Sequence, residues 1–397
     1  MPPLPFFCVD DARRLARRRL PRLIFDYVDG AAGTESASAL NLSSLRDIRL
    51  QPRVLKNVDN RTLTKSFLGQ DFGLPFGIAP MGMCNLVRPG ADRLLADEAV
   101  RRNIPHCLSC LASTTLEDIR KRSGTRSWFQ LYVGQSMELA KELIDRAETV
   151  GYEVLVLTVD VPQIGTRIRD LRNGFQVPFR IGPRQFCDFA AHPSWSVETL
   201  LNGPPKPMNY ETSEHAQAFA RDESRGSADW EFLKWLRNRW KGTLIVKGVL
   251  SAEDALRIKT AGVDAVWVSN HGGRQLDSAP PAIHALPEIR ETVGPDFPLL
   301  FDSGIRNGED VVKALAMGAD FAMLGRPFLY AMGAAGAHGL ATLFDILEAD
   351  VSTTLAQIGL TSIEQVNGHV LASSSHHIDV DRDASENLVG LASTAKG

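Results

Sequence analysis

One nine-residue segment, 269–277, carries a candidate base and a planar cation three residues apart. Its sequence is Ser-Asn-His-Gly-Gly-Arg-Gln-Leu-Asp, so the base is His271 and the cation is Arg274. The apolar run at 265–268 predicts a buried strand, and loops at strand ends usually display catalytic side chains. The two glycines let the backbone approach a flat ligand. By itself the segment is equally typical of a surface turn, so the choice between a catalytic loop and a surface turn depends on the rest of the chain.

Two further loops contain groups that bind a phosphate dianion. They are Asp302-Ser303-Gly304-Ile305-Arg306 and Gly325-Arg326-Pro327, and each follows an apolar run. Backbone N–H groups at glycines, together with two guanidinium groups, suit a phosphate, and Asp302 can accept hydrogen bonds from a polyol. A pair of ordinary turns is the alternative interpretation.

Polar residues also interrupt otherwise apolar runs, at Ser109, Gln130, Thr158 and Lys247. Buried polar groups need hydrogen-bond partners, and a buried ammonium group is costly unless it meets an electron-rich ring. Flavin mononucleotide (FMN) offers a phosphate, ribityl hydroxyls and a ring edge with alternating donors and acceptors. The loops and the polar strand residues together therefore predict an FMN site.

The elements that must position these residues are eight short apolar runs, most of them followed by a stretch of helical period. They lie at 76–80, 106–109, 128–133, 154–159, 244–247, 265–268, 298–301 and 321–324. Apolar strands alternating with helices predict a parallel sheet covered on both faces, and eight such units predict an α/β fold, a (β/α)8 TIM barrel. No glycine-rich dinucleotide fingerprint follows the first strand, which argues against an open doubly wound sheet.

The remaining segments predict additions to a single domain at 1–370. The first seventy residues predict a helical cap. The stretch at 172–237 is too long for a simple crossover and predicts an insertion after the fourth strand, serving as an active-site lid, a membrane-surface loop or both. A polar, aperiodic tail is expected at 371–397.

Composition excludes several classes of protein. The chain has 397 residues, a net charge of -3 and a pI near 6.3, which argues against nucleic acid as the main partner. No apolar run can span a bilayer, and the basic start is not followed by a signal-peptide core, so a cytoplasmic location is expected. Five cysteines imply no disulfide framework. Cys107 and Cys110 lie in a predicted strand, which argues against a redox pair, and no second pair exists for a zinc site, so no metal site is predicted.

Over about residues 5 to 365 the chain resembles, in collinear order, the FMN-dependent 2-hydroxy acid oxidases and dehydrogenases. That family includes glycolate oxidase and the lactate and mandelate dehydrogenases. The motifs at 269–277 and 302–308 are the most specific, and Phe129-Gln130-Leu131-Tyr132 and Leu157-Thr158-Val159-Asp160 add to them. The resemblance implies oxidation of an L-2-hydroxy acid to a 2-oxo acid.

The same resemblance implies the role of each residue. His271 would be the catalytic base, and Asp160 would orient it and stabilise its protonated form. The residues implied to bind the substrate are Tyr27, Tyr132, Arg167 and Arg274. Lys247 would lie beside the flavin ring, and the residues implied to hold the rest of FMN are Gly82, Ser109, Gln130, Thr158, Ser269, Asp302, Gly304, Arg306, Gly325 and Arg326.

Three departures from the glycolate-oxidase pattern bear on the electron acceptor. Met81-Gly82 replaces Thr-Ala, Ser303 replaces a glycine, and Leu111 replaces a tryptophan. They favour a dehydrogenase that reacts slowly with oxygen and passes electrons to a quinone. An oxidase that makes hydrogen peroxide is the alternative, and a non-catalytic FMN-binding protein is a more distant one. An FMN-dependent isomerase or an NAD(P)-linked dehydrogenase would not explain His271 and its two arginines.

The sequence indicates the substrate, the membrane contact and the oligomeric state less directly. Met81, Met83 and Leu111 predict a mostly apolar pocket, which favours a medium aliphatic or aromatic L-2-hydroxy acid over glycolate, with lactate still open. The insertion is neither strongly basic nor one continuous amphipathic helix, so at most weak contact with the inner face of a membrane is expected. The resemblance alone implies a homotetramer.

Overall fold

The computed structural model describes residues 5–134, 136–176, 181–215 and 224–372. An N-terminal cap of three helices comes first, α1 (Val9–Arg19), α2 (Arg22–Asp29) and α3 (Ser36–Asp47). A two-stranded antiparallel hairpin follows, β1 (Lys65–Phe67) and β2 (Gln70–Phe72).

The hairpin begins within the first seventy residues and was not part of the predicted helical cap. Its turn, Leu68-Gly69, has positive φ angles of 49° and 74°. Two-residue hairpin turns favour such angles, but they usually carry Asn or Asp before the glycine. The leucine therefore hid the turn from the sequence pattern.

The hairpin packs into the interior of the barrel. Phe72 meets the ring of Trp128 edge-on at 6.3 Å, and Phe67 stacks on Phe321 at 5.2 Å. These rings belong to a buried cluster with Trp267 and Leu300. That cluster fills the barrel beneath the carboxyl ends of the strands, where the cleft described below opens.

Eight parallel strands close the barrel in the order β10-β3-β4-β5-β6-β7-β8-β9. They are β3 (Phe76–Ile78), β4 (His106–Ser109), β5 (Ser127–Leu131), β6 (Val154–Thr158), β7 (Thr243–Val249), β8 (Ala265–Val268), β9 (Leu299–Phe301) and β10 (Phe321–Leu324). Each of the eight predicted apolar runs forms one of these strands, with bounds that differ by at most two residues. The predicted (β/α)8 barrel is confirmed.

The helices after the cap cover the outside of the barrel or lie in the insertion. They are α4 (Ala91–Arg102), α5 (Leu116–Ser123), α6 (Met137–Thr149), α7 (Ile168–Asn173), α8 (Pro183–Ala190), α9 (Pro193–Asn202), α10 (Met208–Glu211), α11 (Trp230–Arg239), α12 (Ala252–Thr260), α13 (Ala282–Val293), α14 (Gly308–Ala316) and α15 (Arg326–Gln357). Side chains cap several of them, as Ser136 caps α6, Ser251 caps α12 and Asn307 caps α14. The helix α15 is broken at Ala335–Gly336, so its first turns form a short separate helix after β10.

The predicted insertion includes one helix of the outer ring. The prediction ran from 172 to 237, but α11 belongs to the outer ring, because Arg239 forms ion pairs with Asp145 and Glu148 at the end of α6. Short helices α8, α9 and α10 occupy much of its described part. Residues 177–180 and 216–223, which also fall in the predicted insertion, lie outside the described ranges.

Three other predictions concern absences or termini. Across the described ranges, no helix is long and apolar enough to cross a membrane. The predicted tail lies outside the described residues from 373 onward. Cys107 and Cys110 are buried free thiols, and burial raises the pKa of Cys110 to about 11, which suits a structural role.

Candidate active site

A cleft opens at the carboxyl ends of the strands, with about 1310 Å³ of space between its walls, including the part open to solvent. Most of the predicted site residues line it: Tyr27, Gly82, Ser109, Tyr132, Arg167, Lys247, His271, Arg274, Asp302, Gly304, Arg306, Gly325 and Arg326. Of the other four, Gln130, Thr158 and Ser269 are buried behind its wall, and Asp160 is half-buried. The barrel thus gathers residues that are up to 299 positions apart, Tyr27 and Arg326 being the extremes.

His271, after β8, is held by a carboxylate from the end of β6, on the other side of β7. Its Nδ1 lies 3.1 and 3.2 Å from the two carboxylate oxygens of Asp160. Its backbone N–H donates to Oγ of Ser269, and its φ angle is 58°, in the left-handed region that is uncommon for residues other than glycine. The carboxylate therefore orients the ring, and the Ser269 hydroxyl fixes the backbone that carries it. When Nδ1–H donates to the carboxylate, Nε2 can act as a base.

The electrostatics keep this pair as a neutral imidazole beside an ionised carboxylate. Burial lowers the pKa of His271 below its ordinary value, and the charges of Lys247 and Arg167 add to this, while Asp160 opposes it. Burial raises the pKa of Asp160, but the interactions with His271 and Lys247 outweigh burial and bring that pKa below its ordinary value. A proton taken up at Nε2 would be stabilised by the carboxylate.

Gly248 makes room for this carboxylate. It lies at an irregularity in the pairing of β7 with β8, between Lys247 and Val249, and has a φ angle of 103°. A Cβ atom there would lie 2.5 Å from Cγ of Asp160. Only glycine fits this position, for reasons of both φ and space.

Tyr132 lies on the cleft side of the base. Its hydroxyl is 3.4 Å from Nε2 of His271. Burial and the nearby Asp160 carboxylate raise the pKa of Tyr132 well above its ordinary value, so the phenol stays protonated. It can donate a hydrogen bond to an oxygen placed beside the base.

The end of α2 anchors two guanidinium groups. Arg274 donates to the carbonyls of Gly30 at 2.6 Å and Tyr27 at 3.0 Å. Arg326 donates to those of Val28 and Gly30, both at 3.2 Å. Carbonyls at a helix C-terminus attract cations. The cap therefore holds Arg274 for the predicted substrate and Arg326 for the predicted FMN.

Tyr27 connects the cap to the loop after β3. Its hydroxyl donates to the carbonyl of Gly82 at 3.3 Å, and its ring stacks on Phe175 from the insertion at 4.5 Å. Arg167 reaches the cleft from just before α7. The predicted carboxylate-binding residues therefore come from three separate parts of the chain and meet beside His271.

The wall formed by β4, β5 and β6 carries buried polar atoms that fit a flavin edge. Ser109 Oγ donates to Gln130 Oε1 at 3.0 Å, which leaves Nε2 of Gln130 with no partner among the described residues. Oγ1 of Thr158 is buried and equally unpartnered within them. An unpaired buried donor is costly, so these atoms fit a ligand that presents acceptors and donors along one edge.

Lys247 lines the cleft as predicted, but its charge has partners within the protein. We expected its buried charge to require a ligand ring, but Nζ lies 3.1 Å from Asp302 Oδ2 and donates to Ser269 Oγ at 2.7 Å. It also lies 5.2 Å from the ring of Trp267. The protein already compensates this charge, so Lys247 alone is no evidence for a flavin, although it lines the cleft.

The loops after β9 and β10 form a site for a dianion. Arg306 and Arg326 both line this end of the cleft, and burial lowers the pKa of Arg326, as does the charge of Arg306. The helix α15 begins here and directs its N-terminus into the site. Two cations and a helix N-terminus fit the phosphate of FMN. Together with the unpaired atoms on β5 and β6, the residues fit the whole cofactor.

Sequence reasoning missed three contributors. Ser303, noted only for its bearing on the electron acceptor, has a φ of 88° and its Oγ accepts the N–H groups of Asn270 and Gly272, which links two site loops. Gly248 could have been recognised, because a glycine inside a strand often marks a bulge. Arg225 lines the cleft from the insertion, where no pattern in the sequence signalled it.

A profile of one protein family, described as FMN-dependent dehydrogenase, matches residues 16–373. The chain belongs to the FMN-dependent dehydrogenase family. The family confirms the prediction of FMN as cofactor, and the lactate and mandelate dehydrogenases among its members, described next, confirm that of an oxidoreductase acting on 2-hydroxy acids.

Relatives in the family are similar over almost their whole length. An L-lactate dehydrogenase of Pseudomonas syringae pv. syringae (strain B728a) is 37% identical over 372 residues, which cover 92% of this chain and 98% of that protein. An (S)-mandelate dehydrogenase of Pseudomonas putida is 38% identical over 366 residues, covering 91% and 92% respectively.

Solved structures include both dehydrogenases and oxidases. The crystal structure of an (S)-mandelate dehydrogenase, described as a monotopic membrane protein, superposes with a TM-score of 0.88 at 37% identity, over 92% of this chain and 99% of that one. A mandelate oxidase superposes with a TM-score of 0.79 at 33% identity, over 92% and 98%. The fold therefore does not distinguish the two electron acceptors.

Proposed function

We propose that this FMN-dependent dehydrogenase oxidises an (S)-2-hydroxy acid to the 2-oxo acid, with His271 as the base. The observation that carries the proposal is the arrangement around that residue. Asp160 fixes Nδ1, the Tyr132 hydroxyl lies 3.4 Å from Nε2, and Arg274 lines the same cleft. A base, a hydroxyl donor and a carboxylate ligand are the three groups that a 2-hydroxy acid requires.

Arg167 and Arg274 bind the carboxylate of the substrate. Guanidinium forks match the planar carboxylate, and two of them fix which face of the substrate meets the cofactor. Tyr27 assists from the cap. Such a clamp distinguishes the (S)- from the (R)-acid, because reversing the stereocentre moves the Cα–H bond away from the flavin.

His271 Nε2 takes one proton of the substrate, either from Cα or from the 2-hydroxyl group as the Cα–H bond breaks. Tyr132 donates a hydrogen bond to the substrate oxygen, and Asp160 stabilises the imidazolium that results. Bound FMN supplies the two-electron acceptor. Ser109, Gln130, Thr158 and Lys247 would hold its ring, and the other predicted ligands are Gly82, Ser269, Asp302, Gly304, Arg306, Gly325 and Arg326.

The acceptor that we propose is a quinone. Gly82, Ser303 and Leu111 resemble the dehydrogenase branch, and Met81, Met83 and Leu111 line a pocket for a side chain larger than that of glycolate. A peroxide-forming oxidase remains the alternative, since a mandelate oxidase shares the fold.

We further propose that the insertion rests on a membrane surface, where quinones are found. Exposed apolar side chains concentrate there: Ile181, Phe186, Val197, Leu200 and Leu201. Leu200 and Leu201 are 82% and 81% exposed. Side chains of this kind on neighbouring short helices can enter the headgroup region without crossing the bilayer. A family relative is described as a monotopic membrane protein, which supports this reading.

Sedimentation with lipid vesicles tests the membrane proposal. We expect the enzyme to sediment with vesicles of bacterial lipids and the Leu200→Ser/Leu201→Ser variant to remain in the supernatant. Leu256→Ser is a matched control, since Leu256 is exposed on α12 of the outer ring. Equal sedimentation of all three proteins would contradict a role for the insertion.

Light scattering of the lipid-free protein would test the homotetramer, which we propose from family resemblance alone.

Anaerobic mixing of the yellow holoenzyme with (S)- and (R)-2-hydroxy acids tests the main proposal. We expect flavin absorbance to bleach with one or more (S)-acids only, and slow recovery when air is admitted. Fast recovery with peroxide formation would favour the oxidase. If FMN is bound and glycolate, lactate, longer aliphatic acids and mandelate all leave the spectrum unchanged, the proposed reaction is wrong.

A further inference from the structure

Arg225 is a buried cation in the cleft that the proposed reaction does not use. The residue is 6% exposed and lines the cleft beside Tyr132 and Arg167. Its backbone N–H donates to the carbonyl of Pro162 at 2.9 Å, which attaches it to the loop after β6. Arg225 therefore belongs to the substrate side of the cleft, away from the loops after β9 and β10.

The side chain of Tyr132 links Arg225 to the base. The Cζ atom of Arg225 lies 5.1 Å from the centre of the Tyr132 ring, and the hydroxyl of that ring lies 3.4 Å from Nε2 of His271. A group bound to Arg225 is therefore close enough to belong to the same small molecule as the atoms that react at His271.

Among the described residues that line the cleft, cations outnumber carboxylates. Its lining contains the cations Arg167, Arg225, Lys247, Arg274, Arg306 and Arg326 and one carboxylate, Asp302. Asp302 pairs with Lys247, and the FMN phosphate would pair with Arg306 and Arg326. The substrate carboxylate would lie between Arg167 and Arg274.

This assignment gives an anionic partner to each of these cations except Arg225. Within the residues that the structure describes, no carboxylate lies within 4.0 Å of its guanidinium, and its contact there is the face of Tyr132. A cation–π contact uses the positive charge but leaves the five N–H donors of a guanidinium to other acceptors. A buried cation is costly unless it is paired, so its position calls for an acidic group supplied by a ligand.

We propose that Arg225 binds a second acidic group at the far end of the substrate. The preferred substrates are then short 2-hydroxy dicarboxylic acids such as 2-hydroxysuccinate and 2-hydroxyglutarate. Met81, Met83 and Leu111 contact the carbon chain between the two carboxylates. This inference rests on the proposed function, because it assigns the first carboxylate to Arg167 and Arg274.

The test compares each diacid with an alkyl acid of the same shape, under anaerobic conditions and with the holoenzyme. The pairs are (S)-2-hydroxysuccinate with (S)-2-hydroxy-4-methylpentanoate, and (S)-2-hydroxyglutarate with (S)-2-hydroxy-5-methylhexanoate. A site built for a charged group rejects an analogue that lacks it, so we expect flavin reduction at limiting substrate to be at least about tenfold faster with the diacid.

Variants of Arg225 test whether its guanidinium group causes this preference. In Arg225→Met the ratio of diacid to alkyl-acid rates should fall at least about tenfold, and Arg225→Lys should retain part of it, because a lysine keeps the charge but not the fork. Arg122→Met is the matched control. Arg122 pairs with Asp97 on the outer surface, so its loss should leave the ratio unchanged.

The outcomes separate this inference from the proposed function. If the alkyl acid reduces the flavin as fast as the diacid, or if Arg225→Met leaves the ratio unchanged, the inference is wrong and the proposed function stands. If no 2-hydroxy acid bleaches the flavin, both fail. The wild-type comparison is decisive even if Arg225→Met does not fold, because a preference for the alkyl acid overturns the role of Arg225.

Discussion

Gly248 and Asp160 lie so close together that a Cβ atom on the glycine would be 2.5 Å from the carboxylate carbon. The bulge in β7 thus makes the space in which the proposed orienting carboxylate sits. We predict that Gly248→Ala displaces Asp160 and lowers kcat by about 10²-fold, the loss typical of a misplacement of about 1 Å.

The measurement is anaerobic flavin reduction, with FMN content determined in parallel. Gly262→Ala is the control, because Gly262 also has a positive φ, 79°, but its Cβ would meet only the Arg237 side chain at 3.9 Å. Backbone strain is common to both variants, whereas the collision with Asp160 is not. A similar loss in both would argue against the role of Gly248.

The second prediction concerns pH and follows from the direction of the His271 pKa. Burial lowers this pKa below 6.5, so the base stays neutral through neutral pH and kcat/KM should fall only as the pH drops below that value. The Asp160 charge opposes the lowering. In Asp160→Asn the acid limb should therefore move to still lower pH.

The plateau rate of Asp160→Asn should also fall, by about 10² to 10⁴-fold, because the imidazolium loses its stabilising charge. Rates of flavin reduction from pH 4.5 to 9 measure both effects. A movement of the acid limb to higher pH would contradict the assigned charge states.

The third prediction concerns the unpaired hydroxyl of Thr158. Valine has the same shape without the hydroxyl, so Thr158→Val should weaken FMN binding while stabilising the apoprotein by about 1 kcal/mol. Thr342→Val should destabilise the apoprotein instead, since Thr342 Oγ1 already donates to the carbonyl of His338. Thermal unfolding of the apoproteins and FMN titration measure the two effects. A destabilised Thr158→Val apoprotein with unchanged FMN affinity would show that the hydroxyl is not a cofactor ligand.

The fourth prediction concerns stability. Burial raises the pKa of Asp92 on α4 to about 6, while Ser113 N–H donates to its carboxylate at 2.8 Å. A raised pKa means that the folded state binds the proton more tightly, so this group costs increasing stability as the pH rises from about 4 to about 6. Asp92→Asn has no such charge. It should gain about 1 to 2 kcal/mol relative to wild type between pH 5 and pH 7.5.

Urea unfolding of the apoprotein at the two pH values tests this. Asp97→Asn is the control. Asp97 lies on α4 like Asp92, but it is exposed and pairs with Arg122 on α5. Its difference from wild type should be nearly the same at both pH values. If the Asp92→Asn difference is equally flat, the carboxyl is not a buried group of raised pKa.

The cofactor could be predicted from local patterns in the sequence, and the reaction class followed from the family resemblance that the motifs carry. The 269–277 segment and the 302–306 loop place the required atoms within a few residues of each other, and strand ends in a parallel barrel meet at one edge. The β1–β2 hairpin was missed, since Leu68-Gly69 lacks the usual turn residues.

The sequence by itself determined the barrel, the cofactor and the candidate base, since an apolar run of a given period can form few structures and the site motifs are contiguous. Only the tertiary structure decided which long-range neighbours these groups have. It gave Lys247 a carboxylate at Asp302, and it placed Arg225 over Tyr132. Such contacts join positions far apart in the chain, and their geometry depends on how strands, cap and insertion pack, which no local pattern encodes.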